Sequence, residues 1–371
     1  MADILAVEAP LARRAGEGPG VRVRHRTEQG RFVLPAAHGS ATRQYGGLPL
    51  FGPEDGVTIL EPEATGNGFW VGAPSVLHDA ERDRLLLTYR QRRPRGYGSE
   101  RGYVARIAES GDGVHFRDIW EVQKEVWQTS SMERFCLFRS PQGRYCLYAS
   151  YVDPTDNRWR IDLMEADAPD QFDADRRQPV LTAADCGQGI EGVKDPWVFT
   201  IAGHYYMLIS AAAGVADPTR QGEMHATADV YNTGVLTAPT GLATSVDGRR
   251  WRWRGQLMDV GNVGAWDSYQ TRLNSLLYRP PAWIGLYDGS ASHLGNYEER
   301  TGLAMSLDLR TWERLTPDAP ALTSAHGSGS LRYVDVLAYS GKLHFYYEYA
   351  RADGSHELRS NLVDDIGDVE R

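Results

Sequence analysis

The chain has 371 residues, of which 42% are hydrophobic, and it contains 39 glycines and 19 tyrosines. Its formal net charge of −9 argues against a nucleic-acid-binding protein, because such proteins usually carry a basic surface. No secretion signal and no long apolar run is visible, so we expect neither a leader nor a membrane span.

Residues 1–60 are predicted to form an N-terminal arm followed by a closing strand. The first twenty residues lack a long apolar run and resemble a loose or wrapping arm. Two short runs follow, at 21–25 and 56–60, and each is a candidate for the strand that closes the last repeated unit. Residues 61–371 are predicted to form one all-β domain, since all-β architectures often run long as a single domain.

One unit recurs five times in that domain at a spacing of about sixty residues, and a fixed period of this size indicates a propeller, a solenoid or an array. Each copy begins with a short apolar strand, crosses a turn and continues into an aromatic-rich strand. The five first strands carry, at equivalent positions, Ala73, Glu133, Asp195, Leu273 and Tyr333.

A second motif, Ser-x-Asp-x-x-x-aromatic, occurs at 110–116, 245–251 and 306–312. It predicts a third strand, a turn fixed by the Ser and Asp side chains, and a fourth strand opened by the aromatic residue. Four antiparallel strands per unit are typical of a propeller blade. The sequence therefore predicts a five-bladed β-propeller, with the N-terminal segment completing the last blade and removing its exposed edge.

The innermost strands of a propeller line a central channel, so equivalent positions of the five copies meet at one end of it. We call the five aligned positions above the central column, and it contains two carboxylates, Glu133 and Asp195. The positions just before it are Gly72, Met132, Lys194, Arg272 and Arg332. With Arg134, these residues place up to four cations beside the two carboxylates, which predicts a site.

These segments resemble the five-bladed β-propeller glycoside hydrolases, the superfamily of families 32, 43, 68, 117 and 130. The resemblance covers residues 66–360 and depends on three features: Gly-Ala-Pro at 72–74, Lys-Asp-Pro at 194–196, and the Gly-Leu-Ala turns that start at 241 and 302. It implies a carbohydrate substrate and carboxylates on successive blades, acting as base or nucleophile, orienting group and acid. Asp195 matches an Asp-Pro position of the family, and Glu133 matches a carboxylate on the neighbouring blade.

The chain departs from the family pattern in its first blade, where Ala73 stands at the position of the general-base aspartate. Asp267, just before the fourth inner strand, is the candidate for a third catalytic carboxylate, with Glu191 and Asp335 as weaker options. We expect Lys194, beside Asp195 in sequence, to favour the ionised form of that carboxylate.

The predicted function is hydrolysis of a terminal glycosidic bond, with inversion, by a carboxylate acid/base pair. The predicted substrate-binding residues are Arg134, Lys194, Arg272, Arg332, Trp70, Trp197, Trp266 and Asp335. Two alternatives remain open. The basic residues Lys194, Arg272 and Arg332 also suit a phosphorylase that binds phosphate, and the loss of the first-blade aspartate suits a propeller that only binds sugar.

No metal or other cofactor is expected, because His204, His225, His293 and His326 lack a two-histidine ligand spacing. The three cysteines, Cys136, Cys146 and Cys186, are too few for a disulfide framework. We expect them to be reduced and buried, in a cytoplasmic protein of open oligomeric state. The loops 92–101 and 211–236 are candidates for the rim of the site.

Overall fold

The computed structural model describes residues 43–45, 48–214 and 217–365. Nearly all regular structure in these residues is β, which confirms the predicted all-β class. One α-helical turn, α1, occurs in the described part of the chain and spans Ala183–Cys186. Short 3-10 helices span Pro53–Asp55, Lys124–Trp127, Ala174–Arg176, Gln221–Glu223, Val230–Asn232 and His293–Gly295. No helix within the described ranges has the length and apolar character needed to cross a bilayer.

The described strands follow one another along the chain as a series of antiparallel neighbours. In chain order they are β1 (Arg43–Tyr45), β2 (Leu48–Leu50), β3 (Val57–Leu60), β4 (Trp70–Asp79), β5 (Arg84–Arg93), β6 (Arg101–Ser110), β7 (Arg117–Gln123), β8 (Met132–Arg139), β9 (Tyr145–Val152), β10 (Trp159–Ala166), β11 (Gln178–Leu181), β12 (Ile190–Ile201), β13 (His204–Ala213), β14 (Thr240–Ser245), β15 (Arg252–Met258), β16 (Gln270–Arg279), β17 (Ala282–Ser290), β18 (Arg300–Ser306), β19 (Glu313–Arg314), β20 (Leu331–Tyr339), β21 (Lys342–Ala350) and β22 (His356–Asp364).

Three separate sheets each contain four consecutive strands: β8–β11, β12–β15 and β16–β19. A larger sheet joins β20–β22 to β4–β7 through one parallel bridge between His356 and Trp70. The short β3 pairs antiparallel with β22. We interpret each set of four strands as one blade, the last blade being β20, β21, β22 and β3.

Strand β3 lies within one of the two segments predicted to close the last blade. The other candidate, 21–25, lies outside the described residues. The domain boundary after residue 60 stays a prediction, since most of the predicted arm is also outside them.

The hydrophobic core is divided into clusters in which neighbouring sheets pack face to face. One cluster contains Cys136, Cys146 and Cys186 together with aromatic residues of β9 and β13. All three cysteines are free and buried, as predicted. They act as small apolar side chains in a packed interior.

The Ser-x-Asp turns have the predicted local structure. In the turn after β14, Ser245 Oγ accepts a hydrogen bond from Gly248 N at 3.0 Å, and Asp247 Oδ1 accepts one from Arg250 N at 2.8 Å. The residue after the turn aspartate has positive φ in each copy: Gly113 (78°), Gly248 (70°) and Leu309 (59°). Only glycine adopts this conformation without strain, so Leu309 is the exceptional member.

The first strand of each repeat is the inner strand, and these five strands are β4, β8, β12, β16 and β20. Each of them is interrupted by a register shift at the central column. The shifts lie between Gly72 and Ser75, Met132 and Phe135, Lys194 and Trp197, Leu273 and Ser275, and Arg332 and Asp335. Three column residues also have positive φ: Ala73 (54°), Asp195 (58°) and Tyr333 (55°). A bulge changes the direction in which side chains leave a strand, and bulges are common beside active sites. The same kind of irregularity therefore sets the direction of the central-column side chain in every inner strand.

Candidate functional site

Glu133 and Asp195 meet at a single phenol, the hydroxyl of Tyr333. Tyr333 Oη lies 3.3 Å from Glu133 Oε2 and 3.4 Å from each carboxylate oxygen of Asp195. All three residues are 1% exposed. Burial raises the pKa of Tyr333 well above 10, so the phenol stays protonated at neutral pH and acts as a hydrogen-bond donor. The sequence placed Tyr333 in the central column but gave it no role.

Two arginines hold the carboxylate of Glu133. Arg90 Nε donates to Glu133 Oε2 at 2.8 Å, and Arg92 Nη1 donates to Glu133 Oε1. Burial raises the pKa of Glu133, but the positive charges of Arg90 and Arg92, with smaller contributions from Lys194 and Arg332, outweigh it and hold that pKa well below its usual 4.5. Glu133 is therefore a fixed anion at neutral pH.

Asp195 is held by a different set of donors. Arg272 Nη1 donates to Asp195 Oδ2 at 2.9 Å, and Lys194 Nζ lies 3.8 Å from the same oxygen. The backbone N–H of Arg134 lies 3.4 Å from Asp195 Oδ1. The expected effect of Lys194 on the ionisation of this carboxylate stays a prediction.

Arg272 and Arg332, which directly precede the central column, are themselves paired with carboxylates. Arg272 Nη2 donates to Asp288 Oδ2 at 2.6 Å and lies 3.7 Å from Glu299. Arg332 Nη1 donates to Glu299 Oε2 at 2.7 Å, and its Nη2 donates to Glu348 Oε1 at 2.6 Å. We call these groups the central ion cluster. It comprises Arg90, Arg92, Lys194, Arg272, Arg332, Glu133, Asp195, Asp288, Glu299 and Glu348.

Sequence reasoning missed the members of this cluster that lie on second strands. Arg90, Asp288 and Glu348 are the cross-strand partners of Gly72, Arg272 and Arg332. Each of the three follows directly after the tyrosine in the aromatic-rich second strand of its repeat. The position directly after this tyrosine is therefore a sequence signal for cluster residues on the second strands.

Aromatic rings cover the cations on one side of the cluster. The ring of Tyr231 lies 4.3 Å from Lys194 Nζ, and that of Trp159 lies 5.1 Å from it. The guanidinium of Arg92 lies 4.4 Å from the ring of Tyr297 and 5.2 Å from Trp70. Cations placed over aromatic faces in this way are stabilised electrostatically.

Trp70 was predicted to bind substrate, and in the structure its ring is buried against the central ion cluster. Its ring stacks on His356 at 4.5 Å, and its Nε1 donates to Gly354 O at 3.1 Å. Only 6% of the residue is exposed. A sugar would therefore meet its edge at most, so a stacking role for Trp70 stays a prediction.

The two loops expected at the rim do meet beside the cluster. Tyr231 belongs to the insertion 211–236, and so does Asp229, which pairs with Arg101 at 3.2 Å. Arg95 of the loop 92–101 lies 3.7 Å from the same carboxylate. Trp159 Nε1 donates to Asp229 Oδ1 at 3.1 Å. Asp229 is thus the anchor that joins both loops to the side of the cluster that carries Lys194.

Asp267 and Trp266 lie in a separate environment within the fourth repeat. Asp267 Oδ2 accepts hydrogen bonds from Arg314 Nε at 2.6 Å and from Tyr287 Oη at 3.1 Å. Trp266 Nε1 donates to Thr316 O at 2.9 Å, and its ring stacks on Tyr287 at 5.4 Å. These contacts tie the loop before β16 to its own sheet. A catalytic role for Asp267 and a substrate-binding role for Trp266 stay predictions.

Arg134, Trp197 and Asp335 form a second small group on the far side of the bulges. Arg134 Nη1 donates to Asn274 O at 2.7 Å, and its Nη2 lies 3.4 Å from Asp335. Trp197 Nε1 donates to Asp335 Oδ1 at 3.0 Å. Burial raises the pKa of Asp335 in spite of Arg134. The group links three inner strands, and substrate binding by its members stays a prediction.

Glu191, the other weaker option for a carboxylate, lies beside the insertion. It pairs with Arg158 at 2.8 Å and with His225 Nε2 at 3.1 Å. Across the described ranges, no group of three or more His, Cys, Asp or Glu side chains has the arrangement of a metal site.

Comparison with known proteins identifies the fold. No family model and no curated protein matches the sequence. A solved glycoside hydrolase is similar with a TM-score of 0.61 at 14% identity, over 85% of this chain and 93% of that one. The beta-1,2-mannobiose phosphorylase from Listeria innocua gives 0.57 at 15% identity, over 83% and 94%. The GH43_1 enzyme from Xanthomonas citri, complexed with xylotriose, gives 0.53 at 13% identity, over 82% and 89%.

The structural neighbours thus include glycoside hydrolases of families GH43 and GH130 of the five-bladed β-propeller superfamily. This confirms the resemblance predicted from the sequence. At such identities the similarity establishes the fold, and the chemistry has to be argued from the site.

Proposed function

We propose that the chain is a carbohydrate-active enzyme that hydrolyses a terminal glycosidic bond, with Glu133 and Asp195 as its reacting pair. One observation carries the proposal: two carboxylates on adjacent inner strands, each on a bulge, meet within hydrogen-bonding distance of one hydroxyl. Paired carboxylates on either side of the scissile bond are what most glycoside hydrolases require.

The environments of the two carboxylates support different roles. Glu133 is a fixed anion whose two oxygens both accept from arginines, so it suits charge stabilisation of an oxocarbenium-like transition state. Asp195, which shares its oxygens with Lys194 and Arg272, is the proposed base. Tyr333 is a protonated donor between them, and we propose that its hydroxyl gives the proton to the leaving oxygen while Asp195 takes a proton from the attacking water. The phenol then recovers its proton from Asp195, whose oxygens lie 3.4 Å from Tyr333 Oη.

We propose inversion as the stereochemical course. The two Tyr333 distances, 3.3 and 3.4 Å, limit the separation of the nearest carboxylate oxygens to at most about 6.7 Å. This bound admits both the ~5–5.5 Å of retaining enzymes and the lower end of the ~6.5–9.5 Å range of inverting enzymes, so the proposal depends on the hydrogen bonds of the carboxylates. A retaining course needs a carboxylate oxygen free to attack carbon, and both oxygens of Glu133 are engaged by arginine.

Phosphorolysis is the runner-up, and the ion pairing weakens it. Two of the three cations proposed to hold phosphate are already paired, Arg272 with three carboxylates and Arg332 with two. A phosphate dianion would have to displace these carboxylates in a buried site, which is costly. A propeller that binds sugar without cleaving it is the third candidate, because Ala73 stands where a catalytic aspartate is expected.

The test is turnover of a panel of aryl glycosides by the full chain and by two variants, Asp195→Asn and Glu133→Gln. We expect both variants to lose at least about a hundredfold in kcat, because Asp195→Asn removes the proposed base and Glu133→Gln removes a charge proposed to stabilise the transition state. Asp79→Asn is the matched control, because Asp79 is also buried and bonded to arginine and tyrosine, but at the opposite end of β4. Circular dichroism verifies that each variant is folded.

Each candidate function predicts a different outcome. Turnover that requires inorganic phosphate identifies a phosphorylase, and sugar binding without turnover identifies a binding module. Full turnover by both variants rules out the proposed pair. Proton NMR of the first product gives the anomeric configuration, and a product of retained configuration contradicts the proposed inversion.

A further inference from the structure

A groove between the third and fourth repeats opens at the end of the strands away from the central ion cluster. We call it the distal groove, and its principal lining residues are Tyr206, Tyr278, Trp283, Arg254, Asp308 and Arg310. Its volume is about 750 Å³, which is within the usual range for ligand sites. On β16, Tyr278 lies six residues beyond Arg272, or about 20 Å at ~3.3 Å per residue.

One wall of the distal groove is a continuous row of aromatic rings. The rings of Tyr278 and Trp283 lie 4.5 Å apart, and Phe199 connects Trp283 (6.0 Å) to Tyr206 (5.2 Å). Tyr278 is 47% exposed. Trp283 and Tyr206 are half-buried, and partly exposed indole and phenol rings of this kind offer a flat apolar surface with polar edges. The hydroxyls of Thr200 and Thr244 lie on the same groove.

The rim of the groove carries two arginines that lack a carboxylate partner among the described residues. Arg254 Nε donates to the hydroxyl of Thr244 at 2.7 Å, and the side chain of Arg310 has no ion pair within the described ranges. Among the described lining residues the one acidic side chain is Asp308, and its carboxylate is hydrogen-bonded within its own turn. Its Oδ1 accepts from the backbone N–H groups of Thr311 (2.7 Å) and Arg310 (2.8 Å), which lower its pKa to about 2.

Arg310 can be compared with the arginine at the same position in another repeat. Arg249 has the same place in its Ser-x-Asp turn, four residues after the serine. There the guanidinium makes two hydrogen bonds of 2.9 Å to both oxygens of Glu165, a residue of the neighbouring sheet that lines the corresponding groove. The distal groove has no such glutamate among its described lining residues. The place beside Arg310 that corresponds to Glu165 is therefore open to the carboxylate of a ligand.

The third turn differs from its two counterparts in a second way. Leu309 replaces the glycine at the position of positive φ, is 8% exposed and lines the groove. A leucine in this conformation is strained, and such strain is concentrated at functional sites. Its side chain adds an apolar floor beneath the aromatic wall.

We propose that the distal groove is a second binding site, which takes a sugar residue bearing a carboxylate, that is, a uronic acid unit of a glycan. The sugar ring lies on Trp283 and Tyr278, and its carboxylate pairs with Arg254 and Arg310. Arginine suits this role, because its guanidinium binds a carboxylate in a two-pronged geometry. The site is independent of Glu133 and Asp195, and so of the proposed hydrolysis.

Isothermal titration of the full chain with trigalacturonate, and with the neutral galactotriose, tests the proposal. We expect trigalacturonate to bind, with quenching of tryptophan fluorescence, and galactotriose to bind at least about tenfold more weakly, because it cannot form the charge-assisted hydrogen bonds. The double substitution Arg254→Gln and Arg310→Gln should weaken trigalacturonate binding by about tenfold or more and leave galactotriose unaffected. Arg250→Gln is the matched control, since Arg250 is an exposed arginine in the equivalent turn outside this groove.

A gain-of-charge variant supplies a second test. Thr244→Glu places a carboxylate beside Arg254, imitates Glu165, and should abolish trigalacturonate binding without loss of the fold. The proposal is overturned if trigalacturonate does not bind or if the arginine substitutions leave its affinity unchanged. It is also overturned if binding disappears in Asp195→Asn but persists in the arginine double variant, since the sugar would then occupy the central site.

Discussion

Replacing Glu133 by glutamine should destabilise the fold strongly, because it leaves buried arginine charge without its counter-ion. Removing one partner of a buried ion pair typically costs about 3–5 kcal/mol. Arg90 keeps a second carboxylate, Glu348 at 3.1 Å, whereas the one ion pair of Arg92 within the described residues is with Glu133. The loss of unfolding free energy therefore comes mainly from the unpaired charge of Arg92. We expect this loss to be at the low end of that range, about 3 kcal/mol.

Urea unfolding, followed by tryptophan fluorescence, measures this loss. The matched control is Asp79→Asn, for which we expect a smaller cost of about 1–2 kcal/mol, because its partners Arg84 and Arg139 have side chains 20% exposed and can be hydrated. Adding Arg92→Gln to Glu133→Gln should recover part of the loss by removing the orphaned charge. A loss below about 1 kcal/mol for Glu133→Gln, or no recovery in the double variant, refutes the reasoning.

The same variant has a defined pH signature. The pKa of Glu133 in the fold lies below its usual 4.5, so its contribution to stability is fully present above pH 4.5 and is lost as the pH falls below that value. Glutamine does not titrate, so the difference in unfolding free energy between wild type and variant should shrink on acidification. A difference that stays constant below pH 4.5 would show that Glu133 does not titrate with a lowered pKa.

Two further substitutions separate chemistry from packing. Tyr333→Phe removes the hydroxyl shared by the two carboxylates, and we expect kcat on a responsive glycoside to fall by about tenfold to a hundredfold with little change in KM; an unchanged kcat would exclude a catalytic role for the phenol. Gly102→Ala places a methyl group 1.7 Å from Met132 O, next to the inner strand that carries Glu133, and should cost about 1–3 kcal/mol in urea unfolding. Gly98→Ala, where a methyl group meets no atom within 4 Å, is its control, and equal losses for the two would contradict the packing argument.

The repeat made the fold and part of the site predictable. Glu133 and Asp195 were selected because equivalent positions on inner strands converge, and the bulges at those positions show that the alignment was correct. The local turns were predictable for a similar reason: their hydrogen bonds join residues two or three apart, as in 245–251.

The partners of these residues were not predictable in the same way. Lys194 and Arg272 were expected to bind a ligand, but both pair with Asp195, and Arg272 also pairs with Asp288 on the next strand. Asp267 lies only a few residues before the fourth inner strand, yet its carboxylate turns to Arg314. Position along a strand does not say which of several buried charges a side chain will reach.

The sequence alone determined the all-β class, the spacing of the repeat, and the two carboxylates of the central column, because these follow from short-range periodicity and from one alignment of the repeats. Only the tertiary structure decided that these two carboxylates belong to the central ion cluster and meet at Tyr333, and that the distal groove lacks the carboxylate present in its counterpart. The physical reason is that a buried charge must find a counter-ion, and that counter-ion comes from whichever distant strand the fold brings within about 3 Å.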